Sequence, residues 1–179
     1  MNRLATAIIV TSFVASCAAG CGGSQGPAQS ASTASVAAGA SEVYTPPPEG
    51  TSSLVQSVAA RRDTNGQVII EGRLLLPSGA RLWVELFPEK ATAGGDPIGR
   101  SELYLESRGV FAAGPFNLPP ATYRVQLTSH FNRGWQSPEV LSAVGLNGVK
   151  LPNAILKPLN PTTPQSGGYL DHVGLVTVR

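Results

Sequence analysis

The chain has 179 residues, a formal net charge of +2 at neutral pH and two cysteines, Cys17 and Cys21. Its arginines are scattered, with Arg61 and Arg62 as the one adjacent pair, so no basic patch predicts nucleic acid as a partner. Because no cysteine follows Cys21, a disulfide scaffold and a cysteine metal site are excluded for the rest of the chain.

The N-terminal segment MNRLATAIIVTSFVAS has the layout of a secretory signal, since Arg3 precedes an uncharged apolar run. The run is shorter than the roughly 20 apolar residues that cross a bilayer. The small residues before Cys17 and before Cys21 resemble the lipobox of bacterial lipoproteins, which is cut just before a cysteine that carries lipid. That resemblance implies a diacylglycerol thioether on the new N-terminal cysteine and, in many bacteria, an amide-linked acyl chain.

Two cleavage positions are compatible with this signal. We expect lipidation at Cys21, because Gly20 and the following Gly-Gly-Ser are typical of the cleavage site. Cys17 is the alternative, since Val14 fits the large aliphatic position of a lipobox better than Ala18 does. A plain secretory signal with incidental cysteines is the other interpretation.

Three segments follow from this interpretation: a lipoprotein signal peptide at 1–20, a low-complexity linker at 21–52 and a single domain at 53–179. The linker consists almost wholly of small and polar residues, which bury too little apolar surface to offset the entropy of ordering. We expect a disordered tether that, as a flexible coil of about 30 residues, reaches on the order of 30 Å.

The domain is predicted to be all-β. Alternating or continuous apolar residues, bounded by glycine and proline, indicate strands in several segments. These segments are 67–76, 80–87, 98–106, 109–118 and 122–130. Gly114 and Pro115 interrupt the fourth of them, so we expect a bent or edge strand there. Residues 54–61 fit either a first edge strand or a helix.

In the last third of the domain we expect strands rather than helices. PEVLSAVG (138–145) and VKLPNAILKPL (149–159) read as short strands, and YLDHVGLVTVR (169–179) reads as a strong terminal strand. Four prolines argue against helix in this region, namely Pro152, Pro158, Pro161 and Pro164. The whole pattern predicts a single Greek-key type β-sandwich of seven or eight strands.

Two segments, VIIEGRLLLPSGARLWVELFP and GVFAAGPFNLPPATYRVQL, carry a pattern of turn and core residues. The matching residues are Gly72, Gly79, Ala80, Gly109, Phe111, Leu118, Pro119, Pro120, Tyr123 and Val125. The pattern resembles the carboxypeptidase regulatory-like, or transthyretin-like, β-sandwich family over residues 67–130. Ala121 replaces the family's usual turn glycine, and ESRG replaces its Thr-Asp pair. The resemblance implies the fold, which hosts stabilising, adhesive and binding roles.

The sequence predicts no enzyme, no metal and no cofactor. It has no Gly-x-Ser-x-Gly elbow. Asp171 and His172 are chain neighbours that would point to opposite faces of a strand. Zinc requires three or four ligands at short spacing, and the GGDPIG segment offers calcium only Asp96. We therefore expect no catalytic residue.

The segment SHFNRGWQSP (129–138) is the candidate ligand-binding loop. Its candidate contact residues are His130, Phe131, Arg133 and Trp135. Aromatic residues beside arginine are typical of binding hot spots and of stacking platforms for sugars. The alternative, which we favour, is that Phe131 and Trp135 pack beneath the loop as part of the core. Trp83 has the same two interpretations.

We expect a lipid-anchored protein of the cell envelope, in the outer membrane if the host has one, with a non-catalytic binding or structural module. Its expected partners are the membrane, through the lipid, and a cell-wall polymer, glycan or envelope protein. One alternative is a small envelope hydrolase or hydrolase accessory subunit, whose turnover would depend on His130 or His172. Another is an adhesive module in which an exposed sheet edge pairs with a partner strand.

Overall fold

The computed structural model describes residues 43–92, 94–163 and 167–179. The predicted signal peptide, both cysteines and the linker up to residue 42 lie outside the described residues, so their assignment and the lipid attachment remain predictions. Everything described belongs to one compact unit, Gly39–Arg179. In this part of the chain, no helix is both long and apolar enough to pass through a bilayer.

The described residues form eight strands, one α-helix and three short 3-10 turns. The strands are β1 (Val55–Arg62), β2 (Val68–Leu74), β3 (Arg81–Pro88), β4 (Gly99–Tyr104), β5 (Val110–Phe116), β6 (Ala121–His130), β7 (Lys157–Pro158) and β8 (Gly168–Val178). The helix α1 (Pro138–Val144) lies between β6 and β7. The 3-10 turns are Ser107–Gly109, Leu146–Gly148 and Asn153–Ile155.

Two antiparallel sheets pack as a sandwich, which confirms the predicted all-β fold. The three-stranded sheet has the order β1-β2-β5, and the five-stranded sheet has the order β4-β3-β6-β8-β7. The chain changes sheet between β2 and β3, between β4 and β5, and between β5 and β6. The segment 54–61 was predicted as either an edge strand or a helix, and the structure has the edge strand β1 there, over Val55–Arg62. β5 also lies at an edge, as its glycine and proline predict.

The core lies between the inner faces of the two sheets. On β3 and β6 the apolar residues at every second position are buried, namely Leu82, Val84, Leu86, Tyr123, Val125 and Leu127. Side chains alternate across a strand, so the residues between them point outward from the five-stranded sheet. This outer face carries the polar and aromatic residues of the candidate site.

A strand was wrongly predicted for residues 138–145, since Pro138–Val144 form the helix α1. The Ser137 hydroxyl accepts the backbone N–H of Val140 at 3.4 Å, and Pro138 stands in the first turn, where its missing N–H costs no hydrogen bond. Val140 and Val144 recur at helical spacing and are both buried. Proline therefore starts a helix here rather than preventing one.

Most of the predicted strand at 149–159 is also absent. Asn153–Ile155 is a 3-10 turn, and only Lys157 and Pro158 pair with β8. The apolar residues in this segment nevertheless reach the core, because Leu151 and Leu156 are buried. In this segment, turns rather than an alternating strand bring the apolar side chains into the core.

Tyr44, in the segment assigned to the linker, contacts the domain. Its ring packs against the core, and its hydroxyl donates to the backbone oxygen of Leu75 at 3.2 Å. Burial raises the pKa of Tyr44 to about 12. The chain is thus fixed to the sandwich from Tyr44 onward, beside the end of β2.

Candidate functional site

Four rings lie together on the outer face of the five-stranded sheet: Trp83, His130, Trp135 and Tyr169, here called the aromatic patch. Trp83 and Trp135 meet edge to face with ring centroids 4.5 Å apart. His130 lies 5.3 Å from Trp135, and it stacks on Tyr169 at 4.9 Å with an angle of 20° between the rings. All four side chains are half-buried, so each keeps part of its surface open to solvent.

Strand register explains three of these positions. Trp83 alternates with the buried Leu82 and Val84 on β3, which places its indole on the outer face. His130 on β6 and Tyr169 on β8 are direct cross-strand partners. Directly opposed side chains have Cβ atoms about 5 Å apart, which is the separation that ring stacking requires.

Gln136 fixes the fourth ring by holding the loop that carries it. Its amide oxygen accepts the backbone N–H of Arg81 at 2.9 Å, and its amide nitrogen lies 3.1 Å from the Arg81 backbone oxygen. The same nitrogen lies 3.0 Å from the Ser129 hydroxyl and 3.1 Å from the backbone oxygen of His130. The Gln136 side chain thus bonds both backbone groups of Arg81, as a neighbouring strand would. These bonds hold the loop against β3 and place Trp135 over the sheet.

Arginine side chains lie over the two indoles. The guanidinium of Arg81 is 4.5 Å from the centroid of Trp135, and that of Arg100 is 5.4 Å from the centroid of Trp83. Each arginine also pairs with a carboxylate, Arg81 with Glu102 at 2.6 Å and Arg100 with Glu85 at 2.5 Å. These contacts keep the cations on the ring faces.

Glu102 is bound from two sides. The indole N–H of Trp83 donates to one carboxylate oxygen at 2.9 Å, and Arg81 donates to the other at 2.8 Å. The hydrogen bond from Trp83 is the main reason that the pKa of Glu102 is lowered. Glu102 is therefore an ionised acceptor at neutral pH.

A third ion pair lies at the opposite side of the patch. Lys157 contacts Asp171 at 2.7 Å, and the side-chain amide of Gln126 donates to the same carboxylate at 2.7 Å. Burial alone would raise the pKa of Asp171, but these hydrogen bonds outweigh it and hold the pKa below its ordinary value. Lys157 also lies 5.7 Å from the centroid of Tyr169. The three cations beside the aromatic patch are thus each paired with a carboxylate, whereas Arg124, further along the same face, lies over the ring of Phe87.

Tyr104 extends the site to the edge of the sheet. It is the cross-strand partner of Arg81 on β4 and points to the outer face. Its side chain is 62% exposed, so its ring is the most accessible aromatic surface beside the patch. A row of aromatic and basic side chains therefore crosses the sheet from Lys157 and Tyr169 to Tyr104.

The structure separates the residues of the predicted binding loop. His130 and Trp135 lie in the patch, whereas Phe131 is 1% exposed and belongs to the core. Arg133 is exposed and lines a different feature, a shallow pocket of about 430 Å³ formed mainly by Pro138, Leu141 and Leu146. Phe131 therefore packs in the core, as the favoured interpretation of the loop predicted. Trp135 is only half-buried, and the rest of its side chain is open to solvent.

Four residues of the site were not among the predicted contacts: Trp83 and Tyr169 of the patch, with Tyr104 and Gln136 beside them. Trp83 was given the same two interpretations as Trp135 but was not listed as a contact, although its alternation with Leu82 and Val84 already placed it on an outer face. Tyr169 is brought into the patch, and Tyr104 beside it, by the order of the strands in the sheet. A single sequence does not reveal that order. Gln136 belongs to no recognisable sequence motif, so nothing in the sequence indicated its role.

The other residues considered for catalysis or metal binding do not come together in the structure. His172 follows Asp171 on β8, where adjacent side chains point to opposite faces of the sheet. Asp96 is exposed in the loop before β4. Among the residues that the structure describes, no three or more His, Cys, Asp or Glu side chains group where they could hold a metal ion.

His130 should make stability depend on pH. Burial lowers the pKa of His130 below its ordinary value of 6.5, although the charge of Asp171 opposes this shift. The unfolded chain then binds the proton more readily, so the free energy of unfolding should decrease as the pH falls through about 6.5. Thermal melting between about pH 7.5 and 5.5 should show this decrease, and His130→Phe, which keeps a ring against Tyr169, should reduce it. His172→Gln is the control; if it removes the pH dependence and His130→Phe does not, His130 is not its source.

No family model, curated protein or solved structure matches the chain. The resemblance of residues 67–130 to the carboxypeptidase regulatory-like family therefore rests on its sequence motifs. The geometry of the site is therefore the basis for inferring its ligand. Aromatic rings lie between hydrogen-bond donors and acceptors on one open face of the sheet. Such a surface can hold a ligand that has both apolar faces and many hydroxyl groups.

Proposed function

We propose that this protein is a lipid-anchored cell-envelope protein whose β-sandwich binds a neutral, polyhydroxylated polymer, such as a wall glycan, without catalysis. The observation that carries the proposal is the aromatic patch with Tyr104 at its side. Four half-exposed rings and one largely exposed ring lie in reach of a single ligand on the outer face of the five-stranded sheet.

A sugar ring has an apolar C–H face and a rim of hydroxyl groups. Aromatic rings bind such a face, and charged side chains make stronger hydrogen bonds to hydroxyl groups than neutral ones do. The patch supplies both, since arginine, lysine and carboxylate groups lie between its rings. Because the three cations beside the rings are each paired with a carboxylate, the patch itself has no net charge with which to select a polyanion.

The shape of the surface also favours a polymer. The patch lies on the face of a sheet, and its row of side chains crosses the strands β8, β6, β3 and β4. An extended chain of sugars could therefore contact Tyr169, Trp135 and Tyr104 in succession. The lipobox-like segment before Cys21 supports the envelope location, where such polymers occur.

Tryptophan fluorescence tests the ligand directly. Trp83 and Trp135 are the two tryptophans of the chain, and both lie in the patch. Titration of the full chain with soluble neutral oligosaccharides, including β-1,4-linked glucose and N-acetylglucosamine chains, should change this fluorescence. Trp135→Ala should weaken binding about tenfold or more, because a buried aromatic contact in an interface contributes about 1–2 kcal/mol. Tyr104→Ala should weaken it less, with no change in melting temperature.

Val110→Ala is the matched control, since Val110 is exposed on the outer face of the other sheet. This variant should bind like the wild type. Isothermal titration calorimetry gives the affinities of variants that have lost a tryptophan. If no neutral oligosaccharide binds, or if Trp135→Ala and Val110→Ala bind equally well, the glycan proposal is wrong.

The anchor requires its own experiment. Mass spectrometry of the full chain produced in a bacterial host should show the mature protein beginning at Cys21 with a lipid mass added. Cys21→Ser should move the protein from the membrane fraction to the soluble fraction, whereas Cys17→Ser should leave it in the membrane. The opposite pattern would assign the lipid to Cys17, and an unmodified secreted wild-type chain would contradict the anchor.

A further inference from the structure

The turns that join β6 to β8 leave apolar side chains exposed at one end of the sandwich. Leu146 is 46% exposed and Val149 is 56% exposed, and the backbone N–H of Val149 donates to the Leu146 oxygen at 3.4 Å across one 3-10 turn. Leu146 also lines the shallow pocket that contains Arg133, Pro138 and Leu141. These five residues are here called the turn surface. Grouped exposed apolar side chains indicate an interaction surface, whereas single scattered ones are ordinary.

The N-terminal part of the chain joins the domain at the same end of the sandwich. Tyr44 donates its hydroxyl to the backbone oxygen of Leu75, the residue that follows β2. The turn after β2 lies beside α1, since an added Cβ on Gly79 would be 4.0 Å from a methyl group of Val140. The residues before Tyr44, which include Cys21, therefore reach the domain at the end that carries the turn surface.

The charges around the turn surface are mainly positive. Residues 131–168 include three basic residues and a single acidic one, Glu139. Arg133 is exposed beside the pocket, and Lys150 is exposed next to Val149. The connecting loops at the opposite end of the sandwich have one lysine and three carboxylates, namely Lys90, Asp63, Glu89 and Asp96. A negatively charged surface therefore attracts the end with the turn surface more than it attracts the opposite end.

We propose that the turn surface docks on a phospholipid bilayer with anionic headgroups, with Leu146 and Val149 among the headgroups and Arg133 beside the lipid phosphates. Apolar area and electrostatic attraction both contribute to such binding. The choice of a bilayer as the occupant rests on the proposed anchor, because a lipid at Cys21 would bring this end of the domain to the membrane. The predicted tether would then hold the domain at a millimolar effective concentration, so a weakly binding surface is sufficient.

Sedimentation with phospholipid vesicles tests this inference. Residues 22–179 contain the whole compact unit Gly39–Arg179 and lack the apolar signal segment, which would itself bind lipid. This protein should bind vesicles of phosphatidylcholine and phosphatidylglycerol in equal parts, with a dissociation constant below about 1 mM of accessible lipid. Vesicles of phosphatidylcholine alone should bind it more weakly, and higher salt should reduce the difference between the two kinds of vesicle.

A matched pair of double variants locates the apolar contact. Leu146→Ser combined with Val149→Ser should weaken binding to the anionic vesicles about tenfold or more, because less apolar area enters the headgroup region. Val173→Ser combined with Leu175→Ser alters side chains that are 54% and 62% exposed on the outer face of β8, so it should leave binding unchanged. Equal binding by the two double variants would overturn the inference.

Charge reversal tests the electrostatic part. Arg133→Glu should weaken binding to the anionic vesicles about fivefold or more, which is the usual contribution of one basic residue near such a surface. Lys90→Glu, at the opposite end of the sandwich, should have no effect. If the two variants bind these vesicles equally well, the inference is wrong.

Val149→Trp keeps the test decisive if the serine variants unfold. Its binding should be stronger than that of the unsubstituted protein, because tryptophan is favoured at a membrane interface. The inference is overturned if the anionic vesicles do not bind the protein or if Val149→Trp fails to strengthen binding. Concentration-dependent dimers that Leu146→Ser dissociates would identify a second copy as the occupant and would also overturn it. No lipid at Cys21 and no glycan takes part in the assay, so failure of the anchor or glycan proposal would not change its result.

Discussion

Replacing Phe131 by alanine should lower the free energy of unfolding by about 3–5 kcal/mol, which is the usual cost of deleting a buried phenyl ring. The ring is 1% exposed and belongs to the hydrophobic core. It packs so closely on Gly148 that an added Cβ there would lie 2.9 Å from a ring carbon. Urea unfolding of the full chain, followed by tryptophan fluorescence, measures the loss.

The neighbouring exposed residue provides the control. Arg133→Ala alters the same loop without removing core contacts, so its effect should stay within about 0.5 kcal/mol. Phe131→Ala should also reduce glycan binding only as far as the domain unfolds. A variant that remains stable but loses binding would instead make Phe131 a ligand contact, contrary to its place in the core.

Gly109→Ala should destabilise the domain by about 3 kcal/mol or more, since it combines backbone strain with a steric clash. Gly109 has a φ of +71°, and an added Cβ would lie 2.0 Å from the backbone oxygen of Leu74. The 3-10 turn before β5 would have to move away from β2. Circular dichroism melting of the purified variant measures the effect.

Gly66 separates the two contributions. It has a similar φ of +77°, but an added Cβ would meet nothing within 4 Å. Gly66→Ala should therefore show only the cost of the left-handed backbone, about 1 kcal/mol. Equal losses for the two variants would mean that the contact with Leu74 has no effect on stability.

The sandwich was predictable because its signal is local. On β3 and β6, side chains alternate between core and solvent, and the apolar residues at every second position are the buried ones. Gly109 was also identified as a turn residue, and its positive φ agrees with that role. Helix α1 was missed because a short helix with a proline at its start resembles a short strand when only breakers and apolar residues are counted.

The site was predictable only in part. His130 and Trp135 lie close together in the chain, so one segment predicted both. Trp83, Tyr169 and Tyr104 join them through the strand order β4-β3-β6-β8, which depends on pairings between distant segments. The hydrogen bonds of Gln136 to Arg81 also depend on those pairings. The sequence therefore predicted His130 and Trp135 as contacts but did not predict Trp83 and Tyr169, which complete the patch.

The three hydrogen bonds of Arg62 affect how the domain would respond to mechanical force. The proposed attachment to a lipid anchor and to a wall polymer would place tension on the backbone of the domain. Arg62 joins the end of β8 to the turn after β1 and to the connection before β6. Peeling the last strand away would require the bond from Arg62 to Arg179 to break, and the other two bonds hold the Arg62 side chain in place against that movement.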